Sequence, residues 1–164
     1  MRNGFTLVEL LIVITLVAVL AAIAIPRFSS SGKRSKETAL RASLKVLRQG
    51  VGRFFAETGG FPARLTKLDD TVSGSGNTKI MLPSGEWEIY SGTDVPGPFV
   101  DGRNGWREVS SHPQADGTTY SGALFTPIDP VSNKPFKYVF ESGRCVVRSS
   151  ANGNDSQGVP YSSY

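Results

Sequence analysis

The chain opens with an apolar run that constrains its fold more than any other feature. From Phe5 to Ile25 the sequence holds 21 residues with a single charged side chain, Glu9. As an α-helix, such a run rises about 32 Å, which matches the roughly 30 Å hydrocarbon thickness of a bilayer. A cleavable secretory signal has a shorter apolar core of roughly 7–15 residues, so a retained membrane-spanning helix is favoured. An ordinary soluble cytosolic enzyme is disfavoured.

Two features of this run need an explanation beyond membrane anchoring. A carboxylate such as Glu9 costs at least about 2.5 kcal/mol near the centre of a span and less near its end, so it predicts a partner. The run is also preceded by a short basic leader, Met1–Gly4, that ends in glycine. With Phe5 after the leader and Pro26 at the end, the stretch GFTLVELLIVITLVAVLAAIAIP resembles the start of type IV pilins and type II secretion pseudopilins.

This resemblance implies a processing site and an assembly residue. It implies that a prepilin peptidase cleaves between Gly4 and Phe5 and methylates the new amino group of Phe5. Glu9 is then fifth in the cleaved chain, a position whose carboxylate the family pairs with the N-terminal ammonium of a neighbouring subunit. Opposite charges in apolar surroundings are each poorly placed alone, so their pairing favours one stagger between helices. Pro26 lacks a backbone donor and is the expected helix break after the span.

The charges beyond the span bear on topology and on partners. Residues 26–67 carry ten Lys or Arg and two Glu. Beside a span, such a block is typical of a solvated helix face near anionic lipid, which is favoured over nucleic-acid binding. The positive-inside rule places this block in the cytoplasm, whereas the resemblance implies a cytoplasmic leader. We follow the leader motif and expect a single pass through the bacterial inner membrane, with the head in the periplasm.

The rest of the chain predicts a helix that continues beyond the span and a small sheet that covers it. Apolar residues recur at helical spacing until Gly59-Gly60, a pair typical of a helix end. The expected class is therefore α+β, and the resemblance implies a ladle-shaped pilin-like fold. Its expected parts are a leader (1–4), a transmembrane and assembly helix (5–25), an amphipathic continuation of the helix (26–58) and a head of loops and antiparallel sheet (59–164). The apolar stripe comprises Leu40, Leu44, Leu47, Val51, Phe54 and Phe55.

Two hairpins are predicted in the head. Lys79–Pro83 and Glu86–Tyr90 flank the turn Ser84-Gly85, and Phe136–Glu141 and Arg144–Arg148 flank Ser142-Gly143. The rest of residues 69–105 carries no motif with a structural interpretation. The stretch DPVSNKPF, which enters the second hairpin, resembles a turn of the major type II secretion pseudopilin.

In that pseudopilin class, the loop after the hairpin binds calcium, and the matching stretch here is 149–156. It offers one carboxylate, Asp155, with Asn152 and Asn154 as weak candidates for carbonyl ligands. Calcium prefers six to eight oxygens, several of them from carboxylates. An ordinary turn is therefore favoured over a tight site, even if Asp129 or Glu141 is recruited.

No pattern in the sequence predicts catalysis or a cofactor. His112 has no second His or Cys at ligand spacing and is expected at the surface. Asp69-Asp70 is interpreted as a loop pair, Cys145 as a small buried hydrophobe, and Trp87 and Trp106 as packing residues. Phosphate-binding glycine motifs are absent from the sequence.

The sequence therefore predicts a structural subunit of a helical filament in a bacterial cell envelope. A type II secretion pseudopilin is preferred because of the DPVSNKPF turn and because the sequence lacks the C-terminal cysteine pair of many pilins. The alternatives are a pilin of type IV pili, which serve adhesion, motility or DNA uptake, and a membrane-tethered binding module that never polymerises. Expected partners are identical or related pilin-like subunits, the prepilin peptidase, an inner-membrane assembly platform and, before assembly, the lipid bilayer. The filament itself is expected in the periplasm or at the cell surface.

Overall fold

A computed structural model describes residues 6–75 and 78–164, with the side chains of residues 25–30 outside the description. Helix α1 runs from Leu7 to Thr58. The chain divides between Lys36 and Glu37 into an N-terminal unit and a C-terminal unit, and α1 contributes residues to both. The fold class is α+β, as predicted: a long helix with an apolar start is followed by small antiparallel sheets.

The C-terminal unit contains the strands. In the described part of the chain they form a three-stranded antiparallel sheet of order β1-β2-β3 and two separate hairpins, β4-β5 and β6-β7. Short 3-10 turns follow β1 and close the chain, at Leu65–Asp69 and Tyr161–Ser163. The strands are β1 (Phe61–Pro62), β2 (Lys79–Met81), β3 (Trp87–Ile89), β4 (Trp106–Pro113), β5 (Thr119–Pro127), β6 (Lys137–Glu141) and β7 (Arg144–Arg148).

The core forms around the apolar stripe of α1. Every stripe residue from Leu40 to Phe54 is buried, and Phe55 is half-buried against the ring of Phe61, with the ring centroids 4.6 Å apart. Phe136 and Tyr138, from the start of the last hairpin, join the same core, and the Tyr138 hydroxyl donates to the Pro62 carbonyl at 2.8 Å. The predicted packing of the stripe against the sheet is therefore confirmed.

The end of α1 and the two predicted hairpins are also confirmed. Gly59 takes a φ of +74°, which glycine adopts without strain, and its amide still donates to the Phe55 carbonyl at 2.8 Å. Hairpin β2-β3 turns at Ser84-Gly85 and hairpin β6-β7 turns at Ser142-Gly143. Strand β7 has the predicted bounds, and β6 begins one residue later than predicted. Strands β2 and β3 are shorter than predicted mainly because Leu82, Pro83 and Glu86 belong to the turn region.

The longest hairpin, β4-β5, was not predicted. Only three of the 17 residues in the two strands are buried, so their sequences lack the apolar alternation that marks a half-buried strand. A register shift between Val109 and Ser111 interrupts the pattern further. Trp106, at the start of β4, and Trp87, on β3, are half-buried against the core, which confirms their packing role.

Candidate assembly segment and C-terminal clasp

The apolar segment at the start of α1 is the first candidate functional feature. Leu7–Ala24 has a mean hydropathy of 2.9, and none of it is buried by the chain itself. Its large apolar side chains are each at least 50% exposed. The hydroxyl of Thr15 donates to the carbonyls of Leu11 and Ile12 at 3.0 and 2.8 Å, so this polar group is satisfied inside the helix. The segment is long and apolar enough to cross a membrane.

Glu9 caps its own helix. Its carboxylate accepts hydrogen bonds from the Thr6 amide at 2.9 Å and from the Thr6 hydroxyl at 2.8 Å. The Glu9 amide in turn donates to Thr6 Oγ1 at 3.3 Å. This reciprocal arrangement is a capping box, in which two backbone donors of the first turn are satisfied by side chains. The signal Thr-x-x-Glu stands in the sequence and predicts the cap, yet sequence reasoning assigned Glu9 to assembly alone.

The other predicted residues of this segment are only partly described. Gly4 and Phe5, the predicted cleavage pair, lie outside the described residues. The helical backbone continues through residue 26, and the side chain of Pro26 is outside the description. Cleavage, the pairing of Glu9 with a neighbouring subunit and a break at Pro26 therefore stay predictions.

A second cluster, which we call the C-terminal clasp, joins the last residues of the chain to α1. It consists of Glu37 and Arg41 on α1 and of Asp155, Tyr161 and Tyr164 near the C-terminus. The buried Asp155 carboxylate accepts from Arg41 Nη2 at 2.8 Å and from the Tyr164 hydroxyl at 2.5 Å. Arg41 also donates to the Tyr164 hydroxyl at 2.7 Å. This ion pair ties residues 114 positions apart in sequence.

Glu37 supplies the other half of the clasp. Its carboxylate is buried and accepts from the Ser156 amide at 2.9 Å, the Ser156 hydroxyl at 2.5 Å and the Tyr161 hydroxyl at 2.9 Å. Burial, with the hydrogen bond and negative charge of Glu37, raises the pKa of Tyr161 to about 12. The Tyr161 hydroxyl is therefore protonated at neutral pH and donates its hydrogen bond to Glu37. Sequence reasoning missed Glu37, because a lone glutamate within a basic block carries no local sign of burial.

The predicted calcium residue Asp155 is thus engaged by the protein itself. Besides Arg41 and Tyr164, the amides of Gln157 and Val159 each donate to Asp155 Oδ1 at 2.8 Å. The hydrogen bond from Tyr164, supported by these amides and by Arg41, lowers the pKa of Asp155 to about 2. A calcium ion at this carboxylate would have to compete with a guanidinium and three hydrogen-bond donors.

The other residues considered as calcium ligands are exposed or have protein partners of their own. Asn152 is exposed. Asp129 is fully buried and is held by the amides of Val131, Ser132 and Ser150 and by the Ser149 hydroxyl. Glu141 forms a two-pronged ion pair with Arg148. Within the described residues, no group of three His, Cys, Asp or Glu side chains could hold a metal ion.

One site prediction was wrong. His112 is buried rather than exposed, because its side chain lies on the covered face of β4, where Nε2 is 2.9 Å from the Gly122 carbonyl. Asp69 and Asp70 pair with different cations, Arg103 and Lys67, so they do not act together. Cys145 is buried as predicted, and burial raises the pKa of its thiol to about 11.

Comparison with known proteins places the N-terminus in a defined family. Residues 1–25 match the prokaryotic N-terminal methylation motif. The chain is 33% identical to the type IV major pilin protein PilA of Myxococcus xanthus over 100 residues, which are 59% of this chain and 45% of that protein. It is 52% identical to the type IV wide pilus major component PilA4 of Thermus thermophilus over 46 residues, 27% of this chain and 35% of that protein.

The chain thus covers less than half the length of each of these two relatives. No solved structure matches it significantly. The motif covers the leader, the candidate cleavage pair and the apolar start of α1. The N-terminal segment thus carries the prokaryotic N-terminal methylation motif, and the chain is similar to type IV pilins over part of its length.

Proposed function

We propose that this chain is the structural subunit of a helical filament assembled from the bacterial inner membrane. The observation that carries the proposal is the apolar segment of α1, Leu7–Ala24, in which the chain itself buries no residue. Such a surface needs a bilayer or the helices of other subunits around it. A filament supplies the second cover, and the similarity to pilins of two bacteria supports that choice.

We further propose that assembly exchanges the partner of Glu9. In the free subunit, Thr6 satisfies the carboxylate. After a prepilin peptidase cleaves between Gly4 and Phe5, the methylated ammonium of Phe5 in a neighbouring subunit is a stronger partner, because a charged donor forms a stronger hydrogen bond than a neutral one. The capping box keeps the carboxylate hydrogen-bonded until that partner arrives, which lowers the cost of holding it near the membrane.

Replacement of Glu9 by valine tests this role, with Thr6→Val as the matched control. Glu9→Val removes both its half of the cap and the pairing carboxylate, whereas Thr6→Val removes the capping hydroxyl and leaves the carboxylate. We expect both variants in the membrane fraction at wild-type levels. Sheared filaments should be lost in Glu9→Val and retained in Thr6→Val. Normal filament yield from Glu9→Val would contradict the pairing role of Glu9. A wild-type chain that forms no filaments at all would instead favour a tethered binding module that never polymerises.

Processing and topology are tested independently of assembly. The intact mass of protein purified from its own host should match a chain that begins at methylated Phe5. Protease added to spheroplasts should digest the C-terminal unit, since we place it in the periplasm after single-pass insertion. Protection of that unit from protease would reverse the proposed topology. The inner-membrane assembly platform is the proposed acceptor of the processed subunit.

Two branches of the family remain as candidates. The named relatives are pilins, which favours a subunit of a type IV pilus. The DPVSNKPF turn, in which Asp129 is buried and organises the entry to β6, favours the secretion pseudopilin suggested by the sequence. Deletion of the gene separates them: loss of surface filaments indicates a pilus, and retention of normally exported proteins in the periplasm indicates a secretion system.

A further inference from the structure

The last hairpin of the C-terminal unit has one edge, that of β7, that no strand of the described residues covers. The Phe140 amide donates to the Ala115 carbonyl at 2.6 Å, so the backbone of Phe140 faces away from β7. Directly opposed residues of an antiparallel ladder either bond to each other or both face outward. The backbone groups of Cys145, the partner of Phe140, therefore face away from β6, and so do those of Val147. Arg48 of α1 occupies this edge, donating to the Val147 carbonyl at 3.2 and 2.9 Å.

A basic groove runs along the β7 edge. Its cavity of about 480 Å³ lies between α1 and β7, with Arg48, Arg144 and Arg148 among its lining residues. Glu141 offsets one of these charges, because it pairs with Arg148 at 2.7 and 2.6 Å. Burial and the neighbouring charge of Arg148 lower the pKa of Arg48. Arg144 is exposed and forms no ion pair with any residue that the structure describes. The groove therefore carries a net positive charge.

A second strand edge carries the opposite charge. Strand β3 is the outer strand of its sheet. Backbone hydrogen bonds join Leu82 to Glu86 and Thr78 to Tyr90. The backbone groups of the alternate residues Trp87 and Ile89 therefore face away from β2. Glu86 and Glu88 are exposed, and the described residues give Glu88 no hydrogen-bond or ion-pair partner. Ile89 is 49% exposed. The nearby cation Lys79 lies over the Trp87 ring at 4.7 Å.

We propose that the β7 edge of one copy docks on the β3 edge of a second copy, with Arg144 facing Glu88. This inference rests on the proposed filament function and deepens it by naming a contact between C-terminal units. Opposite charges favour β3 against β7, whereas β7 against β7 would bring arginines together. Exposed Ile89 and half-buried Val146 add apolar area at the same edges. When the docking strand takes the Val147 carbonyl, Arg48 becomes free to pair with Glu86.

The symmetry of this contact fits a filament. The two surfaces are different, so the interface is heterologous, and each copy offers one edge of each kind. Such a contact generates an open chain of subunits unless its rotation closes a ring. Charged edge strands are also a usual protection against unwanted pairing. Here the opposite signs of the two edges permit one pairing and disfavour the others.

Cysteine cross-linking between two differently tagged full-length copies tests the contact directly. Both copies carry Cys145→Ala; one also carries Glu88→Cys and the other Arg144→Cys. Oxidation of intact filaments should give a heterodimer that carries both tags. Replacing Glu88→Cys by Glu108→Cys, another exposed acidic position, should abolish the cross-link. Equal cross-linking at position 108, or no cross-link at position 88, would overturn the proposal.

Charge reversal supplies the second test. Glu88→Arg and Arg144→Glu should each reduce the yield of sheared filaments at least tenfold, and the double variant should restore the yield. Two substitutions that merely caused misfolding would not restore the yield when combined. Wild-type yield from both single variants would overturn the docking surface while leaving the filament function intact. A wild-type chain that forms no filaments would overturn the filament function and this contact with it.

Discussion

At the scale of single residues, three buried carboxylates hold distant segments of the C-terminal unit together through hydrogen bonds. Asp129 orders the entry to β6, while Asp155 and Glu37 hold the last residues against α1. A buried carboxylate without partners is strongly destabilising, so each one is surrounded by donors. Backbone amides supply donors to all three. The C-terminal residues are thus fixed in a chain whose lone cysteine cannot form an internal disulfide.

The clasp predicts an acid-sensitive stability. The folded protein lowers the pKa of Asp155 from 3.8 to about 2, so the charged form is favoured by folding. Its contribution is present above about pH 4 and is lost as the pH falls towards 2. In thermal melts of the full chain in detergent, Asp155→Asn should lower Tm at pH 7 and flatten the decline between pH 4 and 2. Asp101→Asn, at an exposed loop position, is the control and should follow the wild type. Identical pH profiles for Asp155→Asn and the wild type would show that the clasp does not stabilise the fold.

At the scale of elements, α1 combines two helices of different character in one continuous backbone. Its start is apolar on every side and begins with the capping box of Thr6 and Glu9. From Glu37 onward it is amphipathic, with the stripe buried and basic side chains such as Lys45 exposed. A helix that is apolar all round requires an apolar environment, whereas an amphipathic helix requires one covered face. The change in periodicity along the sequence therefore predicts the change in surroundings.

The stripe predicts a large effect of a buried charge. Leu47 is 3% exposed and lies within the core. Leu47→Asp places an unpaired carboxylate there, which costs several kcal/mol against a typical total stability of about 5–15 kcal/mol. We expect the cooperative thermal transition of the C-terminal unit to disappear, or its Tm to fall by more than about 10 °C. Gln49→Asp, two residues away on the exposed face, should melt within a few degrees of the wild type. Coincident melts of the two variants would mean that the stripe is not the core.

At the scale of the whole molecule, the chain separates membrane-compatible and water-compatible parts. In the N-terminal unit, the large apolar side chains of Leu7–Ala24 are exposed, whereas the C-terminal unit, Glu37–Tyr164, contains the core, the sheets and the clasp. The surfaces of the two units are therefore compatible with different surroundings, one apolar and one aqueous. This separation suits a subunit that rests in a bilayer and then transfers its helix into a filament.

The same separation predicts that the C-terminal unit folds without the span. A fragment of residues 29–164 retains every core residue and both sides of the clasp. It should be soluble without detergent and melt cooperatively within a few degrees of the full chain. Circular dichroism and gel filtration measure this. An aggregated or non-cooperative fragment would show that the first part of α1 is needed for folding of the unit.

The sequence by itself determined the features that depend on neighbours along the chain. The apolar run predicts a membrane helix by its length, the stripe predicts the buried face of α1 by its period, and Gly59 and the two turn dipeptides predict where elements end. Only the tertiary structure decided the features that join distant residues. The hairpin β4-β5 has little apolar alternation, and His112 is buried by contacts across that hairpin. The partners of Glu37, and the Arg41 partner of Asp155, lie more than 100 positions away in sequence. Local propensity and periodicity depend on a few adjacent residues, so they can be read from the sequence. The burial of a polar group depends on which distant donors the fold brings to it, so it cannot.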